Sequence, residues 1–74
     1  MGLEAGDVVL SITWHPVGLG GRTGLARVSH LDGRDDRRHM DRREALALAI
    51  SIFGDNPIEH DLAGQGVEWT RAPG

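Results

Sequence analysis

The chain contains no cysteine, no lysine and no tyrosine, and only three aromatic residues, Trp14, Phe53 and Trp69. Without cysteine there are no disulfides, no zinc ribbons, no iron–sulfur clusters and no thiol chemistry. That composition fits a reducing compartment, so a cytoplasmic location is expected. Without lysine there is no residue to serve as the phosphate-gripping lysine of a nucleotide loop. Long apolar runs are also missing. The longest, Ala45 to Phe53, is nine residues with Ser51 inside it, whereas a membrane span needs about 20. A soluble protein with no membrane contact is expected. The N-terminus lacks the basic and apolar stretches of a signal peptide. Met1-Gly2 begins like a myristoylation site, but Gly6 stands where serine or threonine is needed.

What is present is modest in scale. With 74 residues, one domain is expected over 1–74. Such a chain buries only roughly 60% of the surface its unfolded form exposes. That leaves little room for a deep active-site cavity. The net charge is −3, and all eight basic residues are arginine. A pI near 5.7 argues against a general nucleic-acid binder, which needs a basic field. The charge is uneven along the chain. Residues 32–44 carry five arginines (Arg34, Arg37, Arg38, Arg42, Arg43) and five acids (Asp32, Asp35, Asp36, Asp41, Glu44). Residues 54–74 carry Asp55, Glu59, Asp61 and Glu68 against Arg71, so the whole net charge lies there.

Asp7 to Trp14 alternates in the manner of a half-buried strand, with Val8, Leu10, Ile12 and Trp14 on one face. His15-Pro16 is expected to end it, since proline lacks a ladder donor. Val17 to Gly24 reads as a flexible glycine-rich connection, and Leu25 to Leu31 as a second strand. Asp32-Gly33 is a turn signal, and the polar run Arg34 to His39 is expected to be a solvated loop. A helix is expected over Arg42 to Phe53. Asp41 is its N-cap, Glu44 completes a capping box, and Gly54 follows as a terminator. Its core stripe is Leu46, Ala49, Ile50 and Phe53, widened by Leu48 and Ile52. Ile58 to Ala63 is open between an extended segment and a helical turn. Gly64-Gln65-Gly66 is a loop, and Val67 to Ala72 is a last strand with Val67 and Trp69 facing in. Pro73-Gly74 is a frayed end. The expected fold is therefore α+β: a small β-β-α-β domain with a three-stranded antiparallel or mixed sheet, order 2-1-3, and one helix on one face.

No motif carries chemistry. Gly18 to Gly24 precedes a strand rather than a helix, so no helix N-terminus faces a bound phosphate. His15, His30, His39 and His60 show no metal-ligand spacing. Asp35-Asp36 with His39, and Glu59-His60-Asp61, are the only ligand-like groups, and both fall in segments read as loops or left open. No Gly-x-Ser-x-Gly elbow surrounds Ser11, Ser29 or Ser51. No enzyme, metal or cofactor is expected. The leading expectation is a non-catalytic protein-binding module. It is an adaptor, regulator or inhibitor acting by surface occlusion, of the kind that phages and mobile elements carry. A homodimer is compatible with so small a chain. The partner-binding candidates are Arg34, Arg37, Arg38, Arg42 and Arg43, with Asp55, Glu59 and Asp61. Two alternatives stand beside it. One is a nucleic-acid-associated protein using Arg34 to Arg43, against which the interleaved acids argue. The other is an acidic mimic that blocks a basic groove. Trp14 and Trp69 are expected in the core beneath the helix.

Overall fold

A computed structural model describes residues 7–73. The readings of Met1-Gly2, of the leader region and of Gly74 lie outside the described residues. The element order is β1 (Val9–Pro16), β2 (Thr23–His30), β3 (Asp35–Asp41), α1 (Arg42–Phe53), β4 (Ile58–Asp61) and β5 (Val67–Thr70). The class is α+β, but the sheet has five strands in the order β3-β2-β1-β5-β4 and is antiparallel throughout. This corrects the three-stranded, antiparallel or mixed β-β-α-β expectation. The two extra strands are the two edges: β3 forms from the segment expected to be a solvated loop, and β4 from the segment left open. β3 carries charged side chains on both faces, the four residues of β4 are all exposed, and of the two strands only Met40 packs against the core. They therefore lack the apolar alternation by which a strand is read.

The turns explain why the edges pair. Leu31-Asp32-Gly33 is a three-residue hairpin loop. The Gly33 amide donates to the His30 carbonyl (3.0 Å), the His30 amide to the Arg34 carbonyl (2.9 Å), and Gly33 takes φ 91°. From that closure the register runs outward as Ser29 opposite Asp35, Arg27 opposite Arg37 and Thr23 opposite Asp41. The β4–β5 hairpin closes similarly, with the Gln65 amide on the Leu62 carbonyl (3.0 Å). Ala63 there has φ 55°, a left-handed conformation outside glycine, which costs an L-residue roughly 1–2 kcal/mol. Ala63→Gly is expected to raise stability by about 0.5 kcal/mol in urea unfolding, because relief of strain exceeds glycine's greater chain entropy. A loss would show that the turn is not held in this form.

One sheet face carries the core. Ile12, Trp14, Ala26, Val67 and Trp69 are buried there with Ala45, Ala49 and Phe53 of α1. The first strand keeps Ile12 and Trp14 inward but not Leu10. The register slips by one between Val9 and Ser11, a β-bulge that brings Val9 to the core and leaves Leu10 half exposed. Pro16 stays inside β1, opposite Gly24. Its missing N–H points toward β5, whose pairing has already ended at Trp14 opposite Val67, so no ladder bond is lost. Gly24 is not part of a flexible connection: it is a buried residue of β2.

The helix spans Arg42–Phe53 with the reciprocal Asp41–Glu44 capping box. Its buried line is Ala45, Ala49 and Phe53, with Leu46, Leu48 and Ile52 packed against the core and Ile50 half buried. The stripe is thus turned one position from the expected one. Small alanines face a sheet already filled by two indoles, and the longer side chains flank them. β3 and β4 run in the same direction on opposite edges, so α1 returns between them across the whole sheet. Twelve residues give about 18 Å for that crossing. The opposite sheet face holds Ser11, Thr13, Leu25, Arg27, Ser29, Glu68 and Thr70, and no helix lies over it among the described residues. No helix there is long and apolar enough to cross a membrane.

Candidate functional site

The β2–β3 hairpin changes what the mixed-charge segment means. Each of its five acids has an internal partner. Asp32 Oδ1 accepts from the Arg34 amide (2.9 Å) and so braces the turn. Asp35 pairs with Arg27 across the strands at 3.0 Å. Asp36 meets the His30 ring at 2.9 Å. Asp41 Oδ1 accepts from the Glu44 amide (2.8 Å), and Glu44 Oε1 accepts from the Asp41 amide (3.3 Å). Interleaved signs in the sequence suggest that arginines and acids neutralise one another. In the fold the acids instead hold the turn, the β2–β3 pairing and the helix start.

The arginines are distributed differently. Arg34 lies in the turn. Arg37 stands on the open face of the edge strand, directly opposite Arg27, a like-charge cross-strand pair. Arg38 is on the helix side of the same strand, opposite Ala26. Arg42 and Arg43 open the helix. Among the described residues, Arg22, Arg37, Arg38 and Arg43 take part in no ion pair, and all four are exposed. Arg42 reaches back to Glu59 (3.2 Å) and lies 5.9 Å from the Trp69 ring centroid.

The edge itself is open. The His30–Arg34 bond sets the alternation of the ladder, in which every second residue of β3 turns its backbone toward β2. Asp36, Arg38 and Met40 do so. Asp35, Arg37 and His39 point their N–H and C=O groups outward, as an edge strand does. Asp41 is also outward, and Glu44 takes its amide. The edge thus offers backbone groups flanked by arginine side chains.

Where β3 ends, Arg22, Asp41, Arg42 and Arg43 line an open groove of about 390 Å³. Arg22 was not among the candidates read from the sequence. It precedes β2, and the hairpin register carries it to the far end of β3, where Thr23 is opposite Asp41. Counting outward from the Asp32-Gly33 turn would have paired it with Arg42.

The acidic candidates do not gather with the arginines of β3. Asp55 is exposed in the turn after the helix. Glu59 Oε1 accepts from the Trp69 indole (2.9 Å) as well as from Arg42. Asp61 Oδ2 accepts from the Gly64 amide (3.2 Å). Glu59 and Asp61 border a smaller cleft of about 190 Å³ beside Trp14 and Pro16. The two ligand-like groups are split by strand alternation. Asp36 lies on the opposite face from Asp35 and His39, and His60 on the opposite face from Glu59 and Asp61. Among the described residues no three metal-ligating side chains converge. The glycine loop presents Leu19 fully exposed between Gly18 and Gly20, both at positive φ.

Compared with protein-family models, curated proteins and solved structures, the chain matches none.

Proposed function

We propose that this chain is a non-catalytic protein-binding module that takes an extended, acidic segment of another protein along the β3 edge. The supporting observation is the division of labour within residues 32–44: the carboxylates are engaged inside the fold, while Arg37, Arg38 and Arg43 project from it. An acidic strand laid on β3 would complete the outward backbone bonds of Asp35, Arg37 and His39. Its carboxylates would meet guanidiniums on both sides of the strand. Such a contact works by occupying a surface, as an adaptor or inhibitor does. A long nucleic acid suits the molecule less well. Asp55, Glu59, Asp61 and Glu68 lie toward the other edge and repel a polyanion that wraps around, but not a short segment held on β3.

The test is a titration of the protein with an extended Glu/Asp-rich peptide by fluorescence anisotropy, alongside duplex DNA and RNA over a range of salt. The peptide is expected to bind at low salt. The double variant Arg37→Glu, Arg38→Glu should lose about tenfold or more in affinity. Unfolding stability should change by only about 0.5 kcal/mol, as for exposed sites. Failure of the peptide to bind at low salt overturns the reading. Binding of DNA or RNA that weakens steeply with salt, without peptide binding, replaces it with the nucleic-acid one.

A further inference from the structure

We infer that the groove formed by Arg22, Arg42 and Arg43 is a phosphate-monoester site, which reads a phosphorylated side chain at one end of the bound segment. The inference deepens the strand-addition reading and rests on it only for the source of the phosphate. Three arginines, Arg22, Arg42 and Arg43, line one open groove of about 390 Å³, ample for a phosphorylated side chain. Among the described residues Asp41 is the only carboxylate lining it, and its Oδ1 accepts from the Glu44 amide. Glu59 takes one share of Arg42. Asp41 and Glu59 offset part of the cluster's charge, and the two guanidiniums in no ion pair among the described residues, Arg22 and Arg43, are the ones placed to take a phosphate. Phosphate brings close to two charges at neutral pH and three acceptor oxygens to such a cluster. Guanidinium binds it with two parallel hydrogen bonds.

A second observation points the same way. Arg42 and Arg43 are the first two residues of the helix, where the helix dipole disfavours cations. Arg22 is brought beside them by the β2–β3 register rather than by sequence. The free protein thus holds three arginines at the positive end of a helix, only partly offset by the Asp41 and Glu44 carboxylates of the capping box, with Arg22 and Arg43 in no ion pair among the described residues. An anion relieves that repulsion. The location is also apt. Asp41 ends β3 and lines the groove, so a strand laid along β3 leads straight into it.

The test follows the backbone amides and arginine side-chain signals of the full chain by NMR. The probes are inorganic phosphate against chloride at matched ionic strength, and the acidic peptide in serine and phosphoserine forms. Phosphate but not chloride should shift Arg22, Arg42 and Arg43. The phosphoserine peptide should bind about tenfold tighter than the serine form, since new charge-assisted bonds of this kind are worth at least the 1.4 kcal/mol of a tenfold change. The variant Arg22→Ala, which lies outside the strand-addition surface but lines the groove, should abolish most of that gain and leave the serine form unchanged. A gain that survives this variant, or equal binding of the two peptides, overturns the inference, as does the lack of any phosphate-specific shift. If phosphate shifts these signals while neither peptide binds, the groove is a free-phosphate site and the strand-addition reading is what fails.

Discussion

Gly24→Ala is expected to cost a large share of the protein's stability, about 3 kcal/mol or more. A Cβ at this buried position would sit 2.3 Å from the His15 carbonyl oxygen, 2.4 Å from Trp14 Cε2 and 2.6 Å from Trp14 Cζ2. None of these atoms yields easily. The carbonyl belongs to the β1 backbone. The indole is buried and tied by its N–H to the Met40 carbonyl at 2.9 Å. Relief requires β1 and β2 to part, or the ring to leave the core. Either costs about 3 kcal/mol or more, at the upper end of overpacking effects. The whole molecule has only roughly 4–11 kcal/mol of stability, scaling the usual 0.05–0.15 kcal/mol per residue. Gly20→Ala is the control. Nothing lies within 4 Å of its Cβ, but its φ of +93° is strained for alanine, so about 1 kcal/mol is expected. Urea unfolding followed by tryptophan fluorescence separates the two. A smaller loss at Gly24 than at Gly20 would contradict the packing of β2 on Trp14.

Trp69→Ala is the second large effect, at about 3–5 kcal/mol. Trp69 is fully buried and lies in the core cluster with Ala45, Ala49 and Phe53 of the helix. Those helix residues approach the sheet closely, so removal of the indole leaves a cavity that the helix cannot fill. The indole N–H is a second contribution. It donates to Glu59 Oε1, which Arg42 also holds, so one carboxylate joins β4, β5 and the helix start. Trp69→Phe keeps most of the bulk and is expected to cost about 1–2 kcal/mol for the lost bond. Glu59→Ala should cost a similar amount, because the inward-facing indole N–H loses its acceptor. The order, with Trp69→Ala well above the other two, is read from chemical denaturation. A loss below about 1 kcal/mol for Trp69→Ala would mean that the helix does not rest on this ring.

The parts of the fold legible in the sequence are those that bury a face or carry a local stop signal. Arg42 to Phe53 declares itself by Asp41, Glu44 and Gly54. Val67 and Trp69 alternate because β5 lies under the helix. Leu10 shows where alternation misleads, since a single bulge reverses the face. β3 left no periodic trace, because Asp35 to His39 has no apolar residue and, Met40 apart, this edge strand buries neither face. Its only signal was Asp32-Gly33, a turn tight enough to fold the following residues back along β2. The same omission hid the site. Read as a loop, the arginines and acids of 32–44 cancel. Paired with β2, the acids find Arg27, His30 and the helix N-terminus, and Arg22 arrives beside Arg42 and Arg43.

The most direct test is amide hydrogen exchange along β3, alone and with saturating acidic peptide. In the free protein Asp36, Arg38 and Met40 should be protected by β2, while Asp35, Arg37 and His39 exchange quickly. With peptide bound, the second set should become protected as well, because an added strand takes up their N–H groups. Protection that fails to alternate in the free protein, or stays unchanged at Asp35, Arg37 and His39 when peptide is bound, would contradict the account.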